Sequence, residues 1–261
     1  MGFQIGTLLI PYYGFFIILG VIAASAIGVL QTHLAHKDYN DFILLAAMVT
    51  LGAIIGAKIL YLIVSFDKID FSRITEFEYL NSIMSGGFVF YGGLIGGLLI
   101  LIPCRKLIGP SLSSYVHVCI PCIPLVHGFG RLGCSAVGCC YGMPYNGIFS
   151  VVYDNSPIAP NHIELFPVQA VEACCNFLIT VILLWYIDIN KKHPINSICL
   201  YLLLYSPVRF ILEFARSDNE ERGIYGIFST SQWISLFLFV GTLIYCFYKH
   251  PPVEYGKHAN Q

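Results

Sequence analysis

Two arginine-bearing segments carry the clearest chemical signal in this chain. The first is His127-Gly128-Phe129-Gly130-Arg131-Leu132-Gly133-Cys134-Ser135-Ala136-Val137-Gly138-Cys139-Cys140-Tyr141-Gly142. Glycine permits tight turns and close approach of backbone to a ligand. An arginine in a glycine-rich break at a membrane edge suits a phosphate, because its guanidinium offers a bidentate fork. Helix packing is the other use for these glycines. The second segment is Tyr205-Ser206-Pro207-Val208-Arg209-Phe210-Ile211-Leu212-Glu213-Phe214-Ala215-Arg216. Tyr205, Arg209 and Glu213 recur four apart and share a helix face, and Arg216 adjoins them. That ladder reads as a cationic clamp in which Glu213 fixes the arginines. A salt-bridge stripe at a helix end is the plainer alternative.

Three further segments are weaker. Phe166-Pro167-Val168-Gln169-Ala170-Val171-Glu172 has Pro and an acid where helices commonly begin. Ser85-Gly86-Gly87-Phe88-Val89-Phe90-Tyr91-Gly92-Gly93-Leu94-Ile95-Gly96 is glycine-rich with one polar-tipped aromatic. Tyr12-Tyr13-Gly14 opens the first apolar run, and Tyr61 sits in the second. Tyrosines at span ends often belong to an interfacial belt.

The elements that must position these residues are membrane helices. The chain has 261 residues, 57% hydrophobic and only 11% charged, with a mean hydropathy of +0.73. A soluble domain carries about 25% charged residues. A spanning helix needs about 20 mostly apolar residues, and seven runs are expected at about 11–31, 42–64, 86–103, 112–130, 168–188, 196–214 and 230–248. They are continuously apolar, not alternating, which excludes a barrel. The fold class is therefore an all-α integral membrane protein of about seven transmembrane helices, forming a single polytopic domain over 1–261. The fourth run holds His117, Pro121, Pro124 and His127, which suggests a helix facing a cavity. The first run lacks a basic flank before Lys37 and reads as a mature span, not a signal peptide.

Charge bias sets the expected orientation. Lys37, Arg105, Lys106, Lys191, Lys192, Lys249 and Lys257 fall on one side, and Lys68, Arg73, Arg216 and Arg222 on the other. The positive-inside rule then places the C-terminus in the cytoplasm and the N-terminus outside. Lys58, Arg131 and Arg209 lie within or at the edge of spans, where a charge costs about 3 kcal/mol. Each has a function, a structural ion pair, or a side chain that snorkels to the interface. The net charge of −1 and scattered basic residues offer no patch for nucleic acid, and none is expected as a partner.

Taken together, these segments resemble the prolipoprotein diacylglyceryl transferase family over nearly the whole chain. The pieces are Tyr13-Gly14, Gly56-Ala57-Lys58 followed by Tyr61, Gly86-Gly87 through Gly96, Gly130-Arg131-Leu132-Gly133 to Gly142, Pro167-x-Gln169-x-x-Glu172, Arg209-Phe210-x-x-Glu213-x-x-Arg216, and Gln232-x-x-Ser235. The resemblance implies transfer of a diacylglyceryl group from phosphatidylglycerol to the lipobox cysteine of a preprolipoprotein signal peptide, with release of glycerol phosphate. It implies a small extracytoplasmic head, the bacterial cytoplasmic membrane and no cofactor or metal. By resemblance Arg131 is the phospholipid-binding arginine, Arg209 the second essential arginine, and Tyr91 a catalytic position. Tyr13, Tyr61, Tyr205, Glu213, Arg216 and Gly142 are implied to bind substrate.

The chain departs from that family in places. Tyr91 stands where the family usually has His, and Cys134 and Cys139 stand where it usually has Asn and Glu. A tyrosine, with a pKa of about 10, is a poor base at neutral pH but can donate a hydrogen bond. Cys134, Cys139, Cys140 and His127 form a cluster whose spacing matches no standard zinc pattern. Packing or a disulfide from Cys134, redox chemistry and metal binding all stay open for it. So do a paralogue with another acceptor and a membrane thiol-redox or transport protein on the same fold.

Overall fold

The computed structural model describes residues 2–5, 8–85, 87, 89–189, 194–218 and 223–249. Gly86, Lys191, Lys192, Arg222 and Lys257, which enter the motif and charge readings above, lie outside the described residues. The chain is mostly helical and divides into two compact units, Met1–Gln31 with Val116–Gln261, and Thr32–Tyr115. Among the described residues six helical stretches are long and apolar enough to cross a membrane. Their outer faces carry exposed apolar side chains such as Ile18, Ile54, Leu178 and Phe237, as lipid contact requires.

In the Thr32–Tyr115 unit, α2 (Tyr39–Val64) packs on α4 (Phe90–Leu99), with the short α3 (Phe77–Ser85) between them in sequence. Asp38 caps α2 by accepting the Asn40 N–H at 2.8 Å, the usual way to satisfy an orphan donor. Without a hydrophobic drive between helices in lipid, small residues decide which faces meet. Gly52 and Gly56 of α2 face Gly92 and Gly96 of α4 so closely that an added Cβ on Gly56 would overlap the Gly92 carbonyl oxygen and lie 2.8 Å from Gly96 Cα. Gly56→Val should force the two backbones apart and cost about 1–3 kcal/mol, read as a lower unfolding midpoint in detergent. Gly97→Ala, whose Cβ would sit 3.8 Å from Val49, should leave that midpoint unchanged.

Lys58 of α2 is 8% exposed. Its ammonium donates to the Ile83 carbonyl at 2.6 Å, near the C-terminal end of α3, and to the Gly87 carbonyl at 3.5 Å. It also lies 4.5 Å from the centroid of the Tyr61 ring. A cation belongs there, because the end of a helix presents unpaired carbonyls and the negative pole of its dipole. The remaining helices of the unit are α5 (Leu101–Ile108) and the start of α6 (Leu112–Cys119). Outside the spans, Asp70 accepts the Ser72 hydroxyl and N–H, and those bonds hold its carboxyl below the usual range.

The other unit begins with the hairpin of β1 (Gly2–Ile5) and β2 (Leu8–Pro11) and then α1 (Tyr12–Leu34). It continues through the end of α6, α7 (Cys122–Val137), α8 (Val168–Ile189), α9 (Pro194–Leu212) and α10 (Thr230–Lys249). Helix α7 packs on α8, α8 on α9, and α9 on α10. A core of Ile120, Ile179 and Leu183 lies under Tyr201, Leu204 and Tyr205.

The run expected at 112–130 is not one helix. It is interrupted between Cys119 and Cys122, because Pro121 and Pro124 donate no backbone hydrogen bond. The expected glycine-rich break around Arg131 is also absent. Residues through Val137 are helical, and Gly128 and Gly133 instead let Phe177 and Tyr13 approach the helix. The chain turns only at Gly138, whose φ of 84° lies in the left-handed region glycine favours.

Residues between α7 and α8 form a compact segment containing the β3 (Val151–Val152) and β4 (Glu164–Leu165) pair. Ser156 organises it. Its hydroxyl donates to the Val137 carbonyl at 2.9 Å and accepts the N–H groups of Ile158 and Ala159.

Candidate functional site

Charged side chains converge where α7, α8 and α9 meet. Glu172 enters from the second turn of α8 and is 1% exposed. Its Oε2 lies 3.0 Å from Arg131 Nε and 3.6 Å from Arg209 Nη1. Its Oε1 accepts the Tyr205 hydroxyl at 3.1 Å and lies 3.6 Å from His127 Nε2. Arg131 and His127 are four apart on α7, and Tyr205 and Arg209 four apart on α9, so each pair shares a face.

A second carboxylate extends the network. Glu213 is fully buried. It lies 2.7 Å from Arg209 Nη2 and 3.4 Å from Arg216 Nη1, and accepts the Ser229 hydroxyl at 2.8 Å. Arg216 also forms a two-point pair with Asp218. Burial opposes the Arg216 charge, but the Asp218 hydrogen bond and neighbouring negative groups raise its pKa above the ordinary value. The order Arg131, Glu172, Arg209, Glu213, Arg216, Asp218 alternates in sign. Burying such charges is tolerable only because each has a partner.

Opposite charges hold the arginines in place without sealing them. Side-chain exposure is 13% for Arg131, 11% for Arg209 and 9% for Arg216, while Arg131 Nε and Arg209 Nη1 themselves are buried. Fixed cations of this kind stabilise negative charge that develops on a leaving group, with no reorganisation at the moment of reaction.

The hinge into α10 is built from the sequence Ser229-Thr230-Ser231-Gln232. Ser229 Oγ accepts the Gln232 N–H at 3.3 Å, and Gln232 Oε1 accepts the Ser229 N–H at 3.0 Å. This reciprocal pair is a capping box, and it aims the same Ser229 hydroxyl at Glu213. Ser231 accepts from Arg209 Nη2 at 3.0 Å. Ser229→Ala removes both a cap and a donor to a buried carboxylate. It should cost about 1–2 kcal/mol, visible as a lower unfolding midpoint in detergent.

The structure brings together Arg131, Arg209, Tyr205, Glu213 and Arg216 as the sequence implies. Tyr13 is also in this unit, packed beside Gly133 of α7. Gly142 sits where backbone needs it. It bridges to Arg216, and an added Cβ would overlap the Phe166 carbonyl oxygen. Tyr61 and Tyr91 belong to the Thr32–Tyr115 unit. The Tyr61 ring lies against Gly87, and Tyr91, in the first turn of α4, has an exposed side chain.

The central position of Glu172 is what sequence reasoning missed, together with Asp218, Ser229 and Ser231. The signal for Glu172 was present: an acid inside an apolar span is as costly as the arginines that drew notice. Gln169, one turn earlier on α8, is 2% exposed and donates to the Cys139 carbonyl at 2.9 Å.

Cys139 and Cys140 follow the Gly138 turn, and Cys140 has a φ of 58°. A non-glycine residue in that region costs about 1–3 kcal/mol unless its surroundings hold it. Here the Tyr141–Met143 backbone is tied to Ala215 and Ser217. All ten cysteines are free thiols, so no disulfide joins Cys134 to its neighbours. The sulfurs of Cys134, Cys139 and Cys140 nevertheless lie within 4.8 Å of one another.

Apolar helices around a buried arginine–carboxylate centre define a multi-pass membrane protein. The family model described as prolipoprotein diacylglyceryl transferase matches residues 1–248, and the chain belongs to that family. It is 36% identical to a phosphatidylglycerol–prolipoprotein diacylglyceryl transferase of Clostridium tetani, over 93% of this chain and 95% of that protein. It is 32% identical to one of Clostridium perfringens, over 92% and 91%, and 29% identical to one of Bordetella avium, over 92% and 90%.

Proposed function

We propose that this chain transfers the diacylglyceryl group of phosphatidylglycerol to the thiol of a lipobox cysteine in preprolipoproteins, the first step of lipoprotein maturation. The observation that carries the reading is the row of three arginines fixed by Glu172 and Glu213 among apolar helices. The names of the relatives supply the reaction. The acceptor thiol gives up its proton to solvent, its sulfur attacks the glyceryl carbon, a C–S bond forms, and the C–O bond to phosphate breaks. The electron pair leaves on the phosphate oxygen as glycerol phosphate. Arg131 and Arg209 are the catalytic cations of this reading, facing the departing phosphate, and Arg216 holds the glycerol phosphate portion. Tyr13, Tyr205, Glu213 and Gly142 shape the same site. For Tyr61 and Tyr91 the support is the family resemblance alone.

The same reading has the protein in the bacterial cytoplasmic membrane as one polytopic domain, its N-terminus outside and its C-terminus in the cytoplasm. Helices α6 and α7 together make the fourth of seven crossings, and the β3–β4 segment is the extracytoplasmic head. The charge bias of the connecting segments supports this orientation. Expression in a strain depleted of its own diacylglyceryl transferase tests the function. Restored growth and lipoprotein modification are expected. Failure of a well-expressed, inserted chain would contradict the reading.

A further inference from the structure

The three thiols beside Arg131 have no part in the mechanism above. Cys134 is on the last turn of α7, one turn beyond Arg131. The left-handed residues Gly138 and Cys140 fold the chain back, so that the Cys139 and Cys140 sulfurs return to Cys134, all within 4.8 Å. The turn is held from two sides. Gln169 grips the Cys139 carbonyl at 2.9 Å, and Gly142 bridges to Arg216. All three side chains are half-buried, neither sealed nor freely exposed.

We propose that Cys134, Cys139 and Cys140 hold a zinc ion as three thiolates, and that its open fourth position takes the thiol of the acceptor cysteine. The second half rests on the transferase reading. Sulfurs around a tetrahedral zinc with bonds of about 2.3 Å lie about 3.8 Å apart, so small rotations of three side chains close the site. A disulfide would use only two of the three sulfurs. Three protein ligands with one open position is the arrangement of catalytic zinc. Three thiolates and one zinc carry a net negative charge, which Arg131 on the preceding turn and Arg216 across the Gly142 bridge offset.

A metal-bound thiol is deprotonated outright, and the thiolate is the nucleophile. The acceptor loses its proton to solvent on coordination. Its sulfur electron pair then forms the C–S bond to the glyceryl carbon as the C–O bond to phosphate breaks. The thioether formed is neutral and a weaker ligand than a thiolate, so it leaves zinc, and the three cysteines are unchanged.

The chain purified in detergent without chelator should contain about one zinc, measured by elemental analysis. The triple variant Cys134→Ser, Cys139→Ser, Cys140→Ser should fall to background, and Cys174→Ser should keep its zinc. Cobalt exchanged into the wild type should show a sulfur-to-cobalt charge-transfer band. That band should shift on adding a lipobox peptide, and not on adding the same peptide with serine for cysteine. Absence of zinc, copper in its place, or zinc unaffected by the triple change would overturn the site. If the triple variant does not fold, the wild-type cobalt spectrum decides, and a spectrum without the sulfur band overturns it. A band indifferent to the cysteine peptide overturns the fourth-ligand role. Full transfer by a zinc-free triple variant would remove this proposal and leave the transferase reading. Thiol-bound zinc in a folded chain that transfers nothing would do the reverse.

Discussion

Arg131→Ala is expected to lower diacylglyceryl transfer by at least about 100-fold, the usual loss when one fixed donor to developing charge is removed. Arg131 Nε lies 3.0 Å from Glu172, which orients the guanidinium. The variant should stay folded, because Glu172 keeps Arg209 and the Tyr205 hydroxyl. Arg131→Lys should recover part of the activity, since lysine restores the charge but not the planar fork. Initial rates with phosphatidylglycerol and a lipobox peptide check both variants. Activity of Arg131→Ala near that of the wild type would remove the phosphate-facing role.

Glu172→Ala should act mainly on stability. The carboxylate is 1% exposed and serves Arg131, Arg209, His127 and Tyr205 together. Removing it leaves two guanidiniums in a buried site with one negative partner fewer. Breaking a buried pair in this way costs about 3–5 kcal/mol. A large fall in the unfolding midpoint in detergent is expected, with loss of transfer even below that midpoint because Arg131 is no longer aimed. An unchanged midpoint would mean that the network does not hold α7, α8 and α9 together.

The spans at 11–31, 42–64, 168–188, 196–214 and 230–248 were legible because apolar run length is a direct consequence of bilayer thickness. The Arg209–Glu213–Arg216 ladder was legible because helical spacing brings those residues onto one face, and the structure pairs them as expected. The run at 112–130 was harder. Its hydropathy resembles a span, but Pro121 and Pro124 divide it into α6 and α7. The glycines around Arg131 were ambiguous because glycine serves both turns and close packing. Here Gly128 and Gly133 pack, and only Gly138 turns. Glu172 looked like ordinary helix-entry chemistry because its partners come from two other helices, 41 residues before it and 37 after, and no local pattern encodes such a meeting. The Cys134–Cys139–Cys140 convergence was hidden for the same reason: it depends on two left-handed residues, not on ligand spacing.

Transfer of a lipid group onto a thiol by the arginine network is the step to test. The direct measurement uses purified wild-type chain, phosphatidylglycerol labelled in its diacylglyceryl part, and a lipobox peptide with or without its cysteine. Label is expected on the cysteine peptide through a thioether, with equimolar glycerol phosphate, and none of either with the serine peptide. A folded chain that leaves the cysteine peptide unlabelled would contradict that transfer.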